Sequence, residues 1–181
     1  STPLYSSAAS DVYKRQDEFL ALAYFHEKKL PVVIVRFFNT VGPGQLGDYG
    51  MVLPIFVQKA LAGDPIPVFG DGNQKRSFAY MGDVINAIIK LMKTDDAVGE
   101  VFNIGNKTEI TINELAEMII RKCDSSSKIK YISYLNAYGS GFEDMSRRKP
   151  NLNKIEKFIG YKPTVELDEI INQVIEYYKS N

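Results

Sequence analysis

Short stretches of this sequence hold side chains whose types and spacing could do chemistry. "SDVYKRQDEF" sets Tyr13 beside Lys14. A phenol that takes or returns a proton, with an amine that favours its ionised form, is acid–base machinery. "RFFNTVGP" ends an apolar run on Asn39, whose amide can both donate and accept hydrogen bonds. "VFGDGNQKRSFAY" places Phe69 before a tight Gly-Asp-Gly turn and Arg76 after it. An aromatic face and a guanidinium suit a base and a phosphate, because the guanidinium fork meets phosphate oxygens at two points. "FEDMSRRKP" adds Arg147 and Arg148 in a segment without a regular pattern.

Other candidates have a plainer reading. "GPGQLG" (Gly42–Gly47) fits G-x-G-x-x-G, but a dinucleotide site needs the last glycine to run into a helix. Asp48-Tyr49-Gly50 intervenes and Pro43 sits inside the turn, so a connecting loop is expected. Cys123, the only cysteine, can form no internal disulfide and no multi-thiolate metal site. It falls on an apolar helix face, where a free cysteine behaves as a small core residue. His26, the only histidine, lies near a charged helix end and reads as a surface or boundary residue. Histidine-rich zinc sites are excluded, and no metal site is expected.

The elements that must position these residues can be read from periodicity. Asp17–Lys29 reads as a helix with Phe19, Leu22, Ala23 and His26 on one face. "LPVVIVRFF" is a near-continuous apolar run that suits a parallel strand buried on both faces. Met51–Leu61 is a second helix, and "DPIPVFGDG" a short strand between turns. Gly82-Asp83 opens a third helix with Val84, Ala87, Ile88, Leu91 and Met92 on one face, and "EVFNIGN" is a strand with a glycine stop. Thr111-x-x-Glu114 is a capping box, followed by an apolar stripe of Ile112, Leu115, Ala116, Ile119, Ile120 and Cys123. "KIKYISY" reads as a strand, and Leu152–Ile159 and Leu167–Tyr178 as helices. Strands alternating with helices give an α/β or α+β class.

The 181 residues suffice for a real core, and 45% apolar with 24% charged residues are ordinary globular proportions. Lys+Arg and Asp+Glu both count 22, which argues against broad electrostatic binding of nucleic acid. No apolar run is long enough to cross a bilayer, and the first residues lack a secretory pattern. The expectation is a cytoplasmic protein with no nucleic-acid or membrane partner.

From Asp17 onward the chain resembles the C-terminal half of the NAD-dependent epimerase/dehydratase family, the extended short-chain dehydrogenases that act on nucleotide sugars. The markers are "LPVVIVRFFNTVGPGQ", "YGMVLPIFVQKALAGDPIPVFGDGNQKRSFAYMGDV", "VFNIGN" and "FEDMSRRKPNLNKIEKFIGYKPT", in the family's order. The resemblance implies an α/β fold: the C-terminal portion of a Rossmann-like NAD-binding domain plus a small α/β substrate-binding domain, interleaved over residues 17–181. It implies NAD as cofactor of the parent enzyme, with Phe37 and Phe38 where the backbone lines the nicotinamide side. It also implies a nucleoside-diphosphate sugar as ligand. Asn39 resembles the asparagine on the substrate's phosphate or sugar. Val52 and Leu53 match the segment bordering the nucleobase, and Phe69 the position beside the base. Arg76 matches the arginine on the phosphates or ribose, and Arg148 or its neighbour Arg147 the second phosphate-binding arginine. The family commonly reads Gly-Pro-Arg-Gln where this chain has Gly42-Pro43-Gly44-Gln45.

The same resemblance implies a parent, expected to be a homodimer, that oxidises the sugar at C4 and then epimerises, dehydrates or decarboxylates it. A UDP-glucose 4-epimerase-like reaction leads. A dTDP-glucose 4,6-dehydratase, a UDP-glucuronate decarboxylase and a non-catalytic nucleotide-sugar-binding fragment are the alternatives. Family members also carry a glycine-rich cofactor loop and a Tyr-x-x-x-Lys, and neither is found here. Counting back from "DEF" puts the lysine at Lys14 and the tyrosine at residue 10, which is Ser10, and serine cannot replace a phenol. No catalytic residue is therefore assigned, and the chain alone is expected not to turn over. A second resemblance covers residues 1–16. "SSAASDVYKRQ" reads codon by codon as a transposase adapter used in DNA library preparation, and "STPLY" as the flow-cell arm before it. Residues 1–16 are expected to be adapter sequence fused to a truncated gene.

Overall fold

The structure is a computed structural model that describes residues 7–47, 51–138 and 145–180. The chain runs α1 (Ser7–Lys28), β1 (Ile34–Phe37), β2 (Thr40–Val41), α2 (Val52–Ala62), β3 (Ile66–Phe69), β4 (Lys75–Arg76), β5 (Ala79–Tyr80) and α3 (Met81–Met92). A short 3-10 turn (Asp95–Ala97) leads to β6 (Val101–Ile104), β7 (Ile110–Thr111), α4 (Ile112–Lys122), β8 (Ile129–Ile132), α5 (Tyr134–Tyr138), β9 (Arg147–Arg148), α6 (Asn153–Ile159) and α7 (Leu167–Ser180). Parallel pairs dominate: β1 lies on β6, β2 on β5 and β3 on β8. β4 sits between antiparallel β7 and parallel β9. This is the mixed α/β architecture that the alternation of patterns predicts.

Two apolar cores hold it. The larger collects Leu53, Phe56 and Val57 of α2, Ile66 and Val68 of β3, Leu115 and Ile119 of α4, and Ile170, Ile171 and Val174 of α7. The smaller packs Val84, Ala87 and Leu91 of α3 against Phe102 and Ile104 of β6 and Ile155 of α6. Helix ends follow local chemistry. Thr111 Oγ1 accepts the Glu114 backbone N–H at 3.1 Å while Glu114 Oε2 accepts the Thr111 N–H at 2.8 Å, so the expected capping box is formed. Gly63 ends α2 at φ 70°, a left-handed turn that glycine adopts without steric cost. Asp83, buried in the first turn of α3, accepts hydrogen bonds from the backbone and hydroxyl of Thr164 at 2.8 and 2.5 Å, which ties the stretch ahead of α7 to α3.

The fold departs from the sequence expectations in four places. α1 starts at Ser7, ten residues ahead of Asp17, and its expected buried face is open: Phe19 is 72% exposed, and His26 and Ala23 are exposed too. Phe25 packs closely against Gly99, where a Cβ would stand 2.3 Å from the ring. β1 is parallel as expected but not buried on both faces, because among the described residues it pairs with β6 alone; Phe37 is 48% exposed. Met92 leaves the α3 face and is exposed, lying in the last turn beyond the reach of the core. The stretch with Arg147 and Arg148 is not irregular but a strand, since its backbone pairs with β4. Among the described residues, no helix is long and apolar enough to cross a membrane.

Candidate functional site

Against the larger core, residues of α2, β3, β4 and β9 line a cavity of about 380 Å³, inside the roughly 300–1,000 Å³ typical of small-molecule sites. Asn39, Val52, Leu53, Phe69, Arg76 and Arg148 line it, together with Thr40, Gln45, Met51, Gln74, Phe78 and Tyr134. None of its described lining residues is Asp, Glu, His, Lys or Cys. Two arginines beside apolar and amide side chains suit binding and charge neutralisation.

The local fold explains each placement. Asn39 follows β1 with φ at 36°, in the left-handed region that asparagine tolerates better than most residues. Its Nδ2 donates to the Ser77 carbonyl at 2.9 Å, and its own carbonyl accepts the Ala79 N–H at 3.1 Å, so the residue is locked onto the start of β5. Val52 and Leu53 form the first turn of α2. That end has no side-chain cap and opens on the cavity, where free backbone N–H groups and the helix dipole favour an anion. Phe69 ends β3, and its carbonyl accepts from Gln74 Nε2 at 2.9 Å.

The turn after Phe69 needs both of its glycines. Gly70 and Gly72 have φ at 73° and 75°. A Cβ would stand 2.5 Å from the Tyr134 ring at the first and 2.0 Å from Asn113 Oδ1 at the second. Between them Asp71 accepts the Asn73 backbone N–H at 2.9 Å and its side-chain amide at 3.0 Å, which holds the Asp71 carboxyl below its usual range.

β4 and β9 then bring the two cations together. They are parallel, with Lys75 opposite Arg147 and Arg76 opposite Arg148. Side chains alternate along a strand, so Arg76 and Arg148 share the cavity face while Lys75 and Arg147 take the other. Arg76 Nη1 donates to the carbonyls of Lys75 and Met145 at 2.9 and 2.8 Å. The Arg148 guanidinium lies 5.6 Å from the centre of the Phe38 ring, a cation–π distance. Arg147 is held on the opposite face by a two-point fork on Glu109, at 2.7 and 2.6 Å, and Lys149 reaches the same carboxylate at 3.3 Å. The Arg147 hydrogen bonds, chiefly, push the Glu109 carboxyl down to about 2.

Not every residue singled out from sequence reaches the cavity. Phe37 ends β1 on an exposed surface, Phe38 touches the site only through Arg148, and Arg147 faces away. Tyr13 is 63% exposed on α1. Cys123, the C-cap of α4, is half-buried, with burial pushing its thiol up, and His26 is exposed beside Phe25. α2 begins at Val52, and Asp48, Tyr49 and Gly50, on which the dinucleotide-loop reading turns, lie outside the described residues. Sequence reasoning missed Thr40, Gln45, Gln74 and Tyr134. Gln45 and Gln74 stand inside the quoted stretches, but polar loop residues carry no period that marks them. Two buried oxygens at the cavity wall, Thr40 Oγ1 and Gln45 Oε1, have no hydrogen-bond partner among the described residues.

The sequence profile of the NAD dependent epimerase/dehydratase family matches residues 1–105. A UDP-N-acetyl-alpha-D-glucosaminuronate decarboxylase of Bacillus cytotoxicus is 38% identical over 170 residues, 93% of this chain and 52% of that protein. Two solved structures share the fold. The UDP-glucuronic acid 4-epimerase of Bacillus cereus, in complex with UDP-glucuronic acid and NAD, is 27% identical with a TM-score of 0.83 over 93% of this chain and 52% of its own. The dTDP-glucose 4,6-dehydratase of Bacillus anthracis, in complex with NAD, is 28% identical with a TM-score of 0.83 over 98% of this chain and 53% of its own. The chain thus spans about half the length of the proteins it matches. With the profile over most of the chain and the fold shared to this degree, the chain belongs to the NAD dependent epimerase/dehydratase family.

Proposed function

We propose that this chain is the nucleotide-sugar-binding part of an enzyme that acts on a UDP-linked sugar through NAD-dependent oxidation at C4. The observation that carries the reading is the register of β4 on β9. It sets two guanidinium groups side by side on one wall of a cavity whose other walls are an uncapped helix start and an aromatic ring. Two adjacent anionic groups with a flat apolar end fit that arrangement, and a nucleoside diphosphate is such a ligand. In this reading Arg76 and Arg148 neutralise the pyrophosphate, Phe69 lies beside the base, Val52 and Leu53 border it, and Asn39 holds the phosphate or sugar.

Toward NAD the chain contributes less. NAD supplies hydride chemistry when bound. In this reading the backbone at Phe37 and Phe38, at and just past the end of β1, lines the nicotinamide side. Among the described residues, no glycine loop runs directly into a helix as a pyrophosphate cradle would. Binding of a UDP-sugar without turnover is the activity proposed for the polypeptide itself.

For the reaction of a complete enzyme, likeness to the B. cytotoxicus decarboxylase at 38% identity favours decarboxylation of a sugar acid over the simple UDP-glucose 4-epimerisation that the motifs suggest. Epimerisation is the second reading, favoured by the fold shared with the B. cereus enzyme. UDP titrated into the purified chain by calorimetry tests the site. Binding that Arg76→Ala weakens supports it, and equal binding by wild type and variant refutes it.

A further inference from the structure

We propose that Tyr134 sets the length of the base end of this site, admitting a pyrimidine and turning away a purine nucleotide; this rests on the reading of the cavity as a nucleoside-diphosphate site. Tyr134 lines the cavity together with Phe69 and Gln74, and it also lines a second, shallower hollow of about 590 Å³ formed with Gly70, Asp71, Tyr131 and Ser133. The ring thus stands as the partition between two adjoining spaces. It is a fixed partition. Its edge rests on Gly70, where even an added Cβ would come within 2.5 Å, so the ring cannot swing that way. Its hydroxyl accepts a hydrogen bond from Gln74 Nε2 at 3.2 Å, and the same Nε2 donates to the Phe69 carbonyl at 2.9 Å. One amide therefore couples the end wall to the residue beside the base.

The consequence is a size limit. Phe69 and Tyr134 line the same cavity, so on this proposal a single six-membered ring beside Phe69 ends at the Tyr134 wall. A purine anchored by the same phosphates projects a further fused ring toward the space that the Tyr134 side chain fills. Removing that side chain joins the two hollows and makes room for it, whereas removing only the hydroxyl leaves the partition standing.

The test compares UDP and GDP binding, by calorimetry, to the wild-type chain, Tyr134→Ala and Tyr134→Phe. Wild type and Tyr134→Phe are expected to prefer UDP by about tenfold or more, a usual discrimination for a pocket that excludes by size. Tyr134→Ala is expected to bring the two nucleotides within about threefold of each other, chiefly by gaining GDP affinity. Where the alanine variant does not fold, Tyr134→Leu, a smaller plug, should show an intermediate preference. UDP binding that stays as selective in the alanine or leucine variant as in wild type overturns this role for Tyr134 while leaving the phosphate site intact. A wild type that binds both nucleotides equally also overturns it. Binding of neither nucleotide overturns the site reading itself.

Discussion

Arg147 and Arg148 are adjacent, carry the same charge and differ only in which face of β9 they take, so substituting each in turn isolates geometry from electrostatics. Arg148 shares the cavity face with Arg76 and lies against Phe38; Arg147 is 63% exposed and forked onto Glu109. If Arg148 makes charge-assisted hydrogen bonds to a diphosphate, Arg148→Ala removes about 1.5–3 kcal/mol, or roughly 10- to 100-fold in affinity. Arg147→Ala removes the same formal charge from an exposed ion pair, and salt screening leaves an effect on UDP affinity of no more than about twofold. Calorimetric titration of UDP at 0.15 M salt, with melting curves for both variants, reads the difference. Equal losses in the two variants would mean that general positive charge binds the ligand and the strand register does not. An unchanged affinity in Arg148→Ala would remove Arg148 from the site.

Further outcomes follow from single contacts. Because Arg147 holds the Glu109 carboxyl at about 2 against an ordinary 4.5, this pair contributes stability above pH 4.5 and loses it as the pH falls through about 2; an NMR titration of the Glu109 carboxyl with its midpoint near 4.5 would contradict this. Thr111→Ala removes the cap of α4 and should cost about 0.5–2 kcal/mol, lowering Tm by a few degrees, while Thr111→Ser should retain most of it. We propose that residues 1–16, which resemble a translated adapter, are foreign to the gene: source DNA amplified across the Ser10–Phe19 junction should encode a different segment, and although the family profile reaches residue 1, finding residues 1–16 encoded there would end that proposal.

The helical part of the fold was legible because burial imposes a period. Ile112, Leu115, Ala116 and Ile119 recur at helical spacing behind a formed capping box, and those residues are the buried face of α4. The same rule misled at α1, where Phe19 and His26 share spacing but both are exposed. Two-residue strands such as β4 and β9 contain no period at all, since their pairing joins residues 72 positions apart in sequence. The choice between Arg147 and Arg148 therefore waited for the backbone pairing. Tyr134 was illegible for a similar reason: its position follows from the bare Cα of Gly70 and the reach of Gln74, which no local pattern encodes.

The central claim is that one cavity in this chain holds a UDP-linked ligand between paired arginines and an aromatic end. Titration of isotopically labelled protein with UDP, followed by NMR, tests it directly. The predicted result is saturable shifts concentrated at Arg76, Arg148, Asn39, Phe69 and the first turn of α2, with Arg147 and Glu109 little moved. Shifts centred on Arg147 and Glu109, or no saturable shift at the cavity, would contradict it.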